Sequence, residues 1–177
     1  MNAIESIEDR DFRESIREWM SVHLKGEFEA LRHANGLGSP GYSAALAKRW
    51  EQELAHGGWT GLSWPKAHGG RELSLAQQMI FHEEYVRCGG PGRLGHIGET
   101  LLAPTLIAWG SESQQKRFLP GVLEGRVYWA QGFSEPGAGS DLAAVQTRAR
   151  QDPASGEWII NGQKVWTSWA HEADWIF

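Results

Sequence analysis

"GFSEPGAGSD", residues 132–141, places three glycines and two serines in ten positions, beside Glu135 and Asp141. Pro and Gly punctuate surface turns everywhere, so a plain turn is one reading of the stretch. A phosphate cradle is the other, because backbone stripped of side chains lets N–H groups approach an anion closely. A Walker A loop is excluded, since no Lys follows these glycines. A Rossmann fingerprint is excluded too: Gly137-Ala138-Gly139 runs on to Leu142 without the third Gly, and strand-like sequence follows. What remains is a Gly-rich bend with Ser134 and Ser140 at its shoulders, and on composition alone both readings stay open.

The bend lies just past a change of periodicity. Upstream, Phe12, Ile16, Trp19, Met20, Leu24, Phe28 and Leu31 recur at steps of three and four, which predicts a helix over 5–31 with one apolar face. Leu46, Trp50 and Leu54 predict a second over 43–56, ended by Gly57-Gly58. "WTGLSWPKAHGG" (59–70) is a loop by its Gly and Pro content. Ser74 with Gln77 forms a capping box for a helix reaching about Cys88, and "GGPGRLG" (89–95) interrupts. Ile97, Leu101, Leu102 and Leu106 resume helical spacing over 97–109. Ser111 with Gln114 opens a short helix that Pro120 is expected to truncate.

After Gly125, "VYWAQGF" (127–133) and "VQTRAR" (145–150) suit strands, and "DPASGE" (152–157) is a turn. "WIINGQKVW" (158–166) carries Asn161-Gly162 between β-prone residues, a hairpin signal. The expected fold class is α+β: an all-helical domain over 1–126, then the first strands of a β-barrel or sandwich domain over 127–177. The strand candidates are few and the chain is apolar through "ADWIF" to Phe177. An unpaired apolar edge invites aggregation, so further strands, and another domain, are expected beyond Phe177.

Composition narrows the function. At 177 residues and 41% hydrophobic, the chain can build a packed core. A net charge of −5 argues against nucleic acid, and no stretch approaches the roughly 20 apolar residues of a membrane span. The first twenty residues mix both charge signs and lack a secretory apolar core. Cys88 stands alone, which excludes an intrachain disulfide and fits a reducing compartment, so a cytoplasmic location is expected. Ten Trp are unusual; core packing is the reading for most of them, with a flat ligand surface as the functional alternative. "HEEYV" and "HEADW" lack the second His of a zincin helix, and His82, Cys88 and His96 have no ligand spacing, so no metal is expected. No G-x-S-x-G elbow is present.

"FSEPGAGSDLAA" (133–144) followed by "NGQKVWTSWAHEADW" (161–175) resembles the acyl-CoA dehydrogenase family of flavoproteins. The likeness extends over the whole layout and is most specific over 128–175. It implies FAD as cofactor, with Gln131, Phe133 and Ser134 along the isoalloxazine edge and Ser134 bonded to its pyrimidine portion. It places Gly139 and Ser140 at the pyrophosphate, Ser140 also at the acyl-CoA, and Trp166, Thr167 and Ser168 against the ring, Ser168 near N5. An aromatic wall and a nearby hydroxyl suit a flat ring that accepts a hydride.

The implied reaction is α,β-dehydrogenation of an acyl-CoA thioester in fatty acid or lipid metabolism, with electron-transferring flavoprotein as acceptor. The family's catalytic Glu lies in a C-terminal helical domain, so no residue of this chain inherits that role; Glu135 is expected to be structural and Asp141 to cap local N–H groups. "GHIGE" (95–99) lies in a helical region that borders substrate in relatives. Relatives are commonly tetramers, so a homo- or hetero-oligomer is implied. Several positions depart from the family pattern: Gln131 where some carry Tyr, Phe133 for an aliphatic, Thr167 for Ile, Ser168 for Thr, and Trp169 for a small or amide residue. These leave the acyl group open. The alternatives are an oxygen-reacting flavin oxidase or monooxygenase of the same fold, a non-catalytic subunit, or a Trp-rich binding module.

Overall fold

The computed structural model describes residues 6–36 and 38–177; the first residue of the helix expected over 5–31 lies outside them. Helix α1, Ile7–His23, starts on Ser6, whose hydroxyl accepts from the Asp9 N–H at 3.0 Å. It stops short of the expected end because Gly26 takes a left-handed φ of 59°. A 3-10 turn, Gly26–Leu31, follows, and Arg32 donates to the Leu24 carbonyl that the helix end leaves open (2.9 Å). The apolar register survives the break, and Phe28 and Leu31 join the same core as Ile16 and Met20.

Helix α2, Ala44–His56, is capped by Ser43 and closed at Gly58, where the Trp59 N–H reaches back to the Leu54 carbonyl (2.8 Å). Helix α3, Leu75–Arg87, carries the expected Ser74/Gln77 capping box. Over 97–109 the chain departs from regular helix. Gly98–Leu102 is a π turn, closed by the Ala103 N–H on the Gly98 carbonyl, and it leads into α4, Ala103–Trp109. Pro104 explains the widening: it has no N–H to give and its ring crowds the preceding turn. The extra residue rotates Leu101 off the buried face, leaving it 44% exposed while Ile97 and Leu102 stay buried. Helix α5, Glu112–Leu123, has the Ser111/Gln114 box but is not truncated at Pro120. The proline removes one rung, and the Glu124 N–H bonded to the Pro120 carbonyl (3.0 Å) carries the helix past it.

Trp50, Trp59, Phe81 and Tyr85 fill the helical core, with the Trp50 indole donating to the Tyr85 hydroxyl (2.8 Å) and that hydroxyl to the Pro91 carbonyl (2.9 Å). Helices α1 and α3 are tied by Glu84, whose buried carboxylate accepts from Arg17 (2.7 Å) and Arg13 (2.5 Å). Hydrogen bonds from these guanidiniums hold the Glu84 carboxyl below the usual range against the opposing effect of burial. Trp50, Trp59, Trp64 and Trp129 are core residues, whereas Trp109, Trp158, Trp166 and Trp175 are exposed.

The chain divides into two compact units, the second running from Trp129 to Phe177. There β1, Trp129–Ala130, pairs in parallel with β4, Trp175–Ile176. The antiparallel pair is β2, Arg148–Gln151, with β3, Trp158–Asn161, in register from Arg148↔Asn161 to Gln151↔Trp158. The α+β order of helices and then strands is therefore the observed one. The hairpin turns at 152–157, where the Gly156 N–H bonds Asp152 (2.8 Å), not at Asn161-Gly162. Gly162 lacks the positive φ of a two-residue hairpin and is instead pressed on Thr147, where a Cβ would overlap the hydroxyl.

Candidate functional site

The Gly-rich bend leaves β1 and is pinned at both ends. The Gly132 N–H donates to the Phe177 carbonyl (2.7 Å), and Glu135 and Ala138 exchange backbone bonds of 2.7 and 3.1 Å around Pro136-Gly137. A Cβ at Gly137 or Gly139 would meet nothing within 4 Å, and neither has a left-handed φ. Nothing inside this chain therefore requires glycine at either position, and both residues are exposed, with room for an incoming group. Phe133 is 47% exposed, Gln131 and Ser134 are half-buried, and Ser140 is exposed.

Glu135 is the anchor of the bend. Its carboxylate accepts from the Gln146 N–H (2.7 Å), the Thr147 N–H (2.9 Å) and the Lys164 ammonium (2.9 Å). The Thr147 hydroxyl, close by without meeting the geometry of a hydrogen bond, adds to these donors and lowers the Glu135 pKa to about 2. A depressed carboxylate stabilises the fold at every pH above its ordinary value of 4.5, and the contribution is lost as pH falls from there through about 2. The bend is accordingly expected to persist at pH 5 and to loosen only toward pH 2, followed by amide exchange at Gln146 and Thr147; a midpoint near pH 4.5 would contradict the pairing. Glu135 is structural. The Asp141 side chain, in contrast, makes no cap; its backbone carbonyl accepts from the Ala144 N–H (3.2 Å).

The second motif joins the first through backbone. The Val165 N–H donates to the Ser134 carbonyl (2.9 Å), and Lys164 donates to the Phe133 carbonyl (2.9 Å). Trp166 follows with a left-handed φ of 58° and an indole 90% exposed. The Thr167 hydroxyl is buried without a hydrogen-bond partner among the described residues, and Ser168 is exposed. The structure thus brings Phe133 and Ser134 beside the segment leading to Trp166, Thr167 and Ser168. The bonds that join the motifs run through 133–135, and Gly139 and Ser140 lie further along the bend. Open glycines, an exposed indole and an unpartnered hydroxyl fit a flat cofactor carrying a diphosphate. Lys164 lies inside the 161–175 stretch that carries the resemblance but has no role assigned from it; its signal in the sequence is a lysine two residues before Trp166.

Glu99, in the "GHIGE" stretch, is engaged in structure. It receives Arg93 at 2.6 Å, and its Oε1 accepts from the Gly61 N–H at 2.8 Å. Burial and the neighbouring Arg93 push the His82 imidazole below its ordinary range. Among the described residues no cluster of His, Cys, Asp or Glu is arranged to hold a metal ion, and no helix is long and apolar enough to cross a membrane.

Two family models match the chain: the acyl-CoA dehydrogenase N-terminal domain over residues 6–126 and the middle domain over 130–177. Acyl-CoA dehydrogenase IpdE1 of Mycobacterium tuberculosis is 51% identical over 94% of this chain and 43% of its own length. A solved structure described as the Tcur3481-Tcur3483 steroid ACAD superposes with a TM-score of 0.82 at 33% identity, over 99% of this chain and 44% of that one. The ChsE4-ChsE5 complex from Mycobacterium tuberculosis gives 0.81 at 30% identity, over 100% of this chain and 42% of that one. The chain spans less than half the length of the curated relatives it matches.

Proposed function

The chain belongs to the acyl-CoA dehydrogenase family, and on that premise we propose that it contributes the flavin-facing bend of an FAD-dependent enzyme that dehydrogenates an acyl-CoA thioester between Cα and Cβ. The observation that carries this reading is the tie between the Gly-rich bend and the Trp166 segment, made by Val165 on Ser134 and Lys164 on Phe133. Bound FAD supplies the hydride acceptor. In this reading Ser134 donates to the pyrimidine edge of the ring and the Trp166 indole walls one face against water. Gln131 and Phe133 border the ring edge, and Thr167 and Ser168 offer hydroxyls to it, Ser168 near N5. Gly139 and Ser140 present N–H groups to the diphosphate, and Ser140 meets the acyl-CoA as well.

The acyl group we propose is bulky and ring-bearing. Support comes from the likeness to a structure described as a steroid ACAD. A paired assembly with a related chain and electron-transferring flavoprotein as acceptor complete the reading; the likeness to the ChsE4-ChsE5 complex supports the first.

Reconstitution tests it. The chain, refolded with excess FAD and desalted, is expected to retain a yellow absorbance at about 450 nm, weakly held. No α-proton base is assigned among these residues, so addition of an acyl-CoA to this chain is expected to leave the band unbleached. Colourless protein after reconstitution contradicts the flavin reading and favours a Trp-rich binding module.

A further inference from the structure

Lys164 lies in neither set of residues matched to the flavin, yet three parts of the second unit meet at its ammonium and its partner. The ammonium donates to the Phe133 carbonyl and to Glu135 Oε1, both at 2.9 Å, with its side chain 25% exposed and that of Glu135 7%. The same carboxylate receives the N–H groups of Gln146 and Thr147, at the entry to β2. Those two N–H groups already satisfy Glu135 as an anchor of its own bend; what Lys164 adds is the link to residues 164–165. One residue on, the Val165 N–H closes on the Ser134 carbonyl. One further, Trp166 is held at φ 58° with almost no cover on its indole. A bulky residue stays in the left-handed region only where its surroundings over-determine it, and outliers of this kind gather at ligand sites. The bonds at Lys164 and Val165 are that over-determination. Released from them, Trp166 would relax to negative φ and swing its indole out of its present placement.

We propose that Lys164 is a positioning residue for the flavin, which sets the spacing between Ser134 on the ring edge and the Trp166 indole on the ring face. The proposal rests on the flavin reading above. Its test is FAD titration of the chain and of Lys164→Met, Lys164→Gln and Lys164→Arg, read by quenching of flavin fluorescence and by the position of the absorbance band. Methionine keeps the stem and removes a charge-assisted donor, so K164M is expected to weaken FAD by about tenfold and to shift the bound band, while K164R recovers to within about threefold. K164M that binds FAD with wild-type affinity and an unshifted band overturns the proposal while leaving the flavin reading intact. Wild-type chain that takes up no FAD sinks both. If K164M loses its circular-dichroism signature, K164Q decides by the same two readouts.

Discussion

Replacing Arg93 by methionine is expected to destabilise the helical unit by about 3–5 kcal/mol, the cost of leaving buried carboxylates without their cation. Arg93 lies between Glu51 and Glu99, donating Nε to Glu51 at 2.8 Å and a terminal nitrogen to Glu99 at 2.6 Å. Glu51 is 2% exposed and Glu99 8%. Burial penalises the guanidinium charge, but the two carboxylates outweigh it and hold the proton more tightly than usual. With Met in place, backbone N–H groups of Gly95 and Gly61 are the remaining bonds to Glu51 and Glu99. Two buried anions then share a cavity that their cation has left. In thermal unfolding followed by tryptophan fluorescence, the midpoint should fall by about 10–15 °C. Adding Glu51→Gln to R93M should recover part of the loss, since it neutralises one stranded charge. A single variant within about 1 kcal/mol of wild type would show that the cluster is hydrated in solution and contributes little.

The second large effect falls on binding and leaves stability nearly untouched. Trp166→Gly is expected to leave the unfolding free energy within about 1 kcal/mol of wild type, because relief of left-handed strain and glycine's greater unfolded-state entropy offset each other. Little packing is lost, the indole being 90% exposed. FAD affinity, in contrast, should drop about tenfold or more as the wall of the ring disappears. A core tryptophan would behave the other way, losing about 3–5 kcal/mol on truncation. Measured together, denaturant midpoint and flavin dissociation constant therefore separate a ligand wall from a packing residue; a large stability loss with unchanged FAD binding would remove Trp166 from the site.

Much of the helical unit was legible in the residues. The apolar face from Phe12 to Leu31 is the face that joins the core, and the boxes at Ser74 and Ser111 start the helices they predict. Three local signals misled. Gly26 breaks α1 where apolar spacing continues, Pro120 is absorbed within α5, and Asn161-Gly162 is not a hairpin turn. Only the last is a local preference overruled by what the residue meets in three dimensions, since Gly162 is there for Thr147; Gly26 breaks α1 by its own left-handed φ, with nothing near its Cβ position.

At the site, the two motifs could be read as a pair, but not how they are joined. From the sequence alone came the α+β order, the helix starts, the apolar faces and the bend, because capping and periodicity are relations between residues three or four apart. Tertiary structure alone decided that Arg93 serves Glu51 across 42 positions, that Lys164 holds Glu135 across 29, and which tryptophans stay uncovered. Pairings of that span leave no trace in local spacing: they are selected by desolvation, which makes a charge find its counter-ion only once folding has brought the two together.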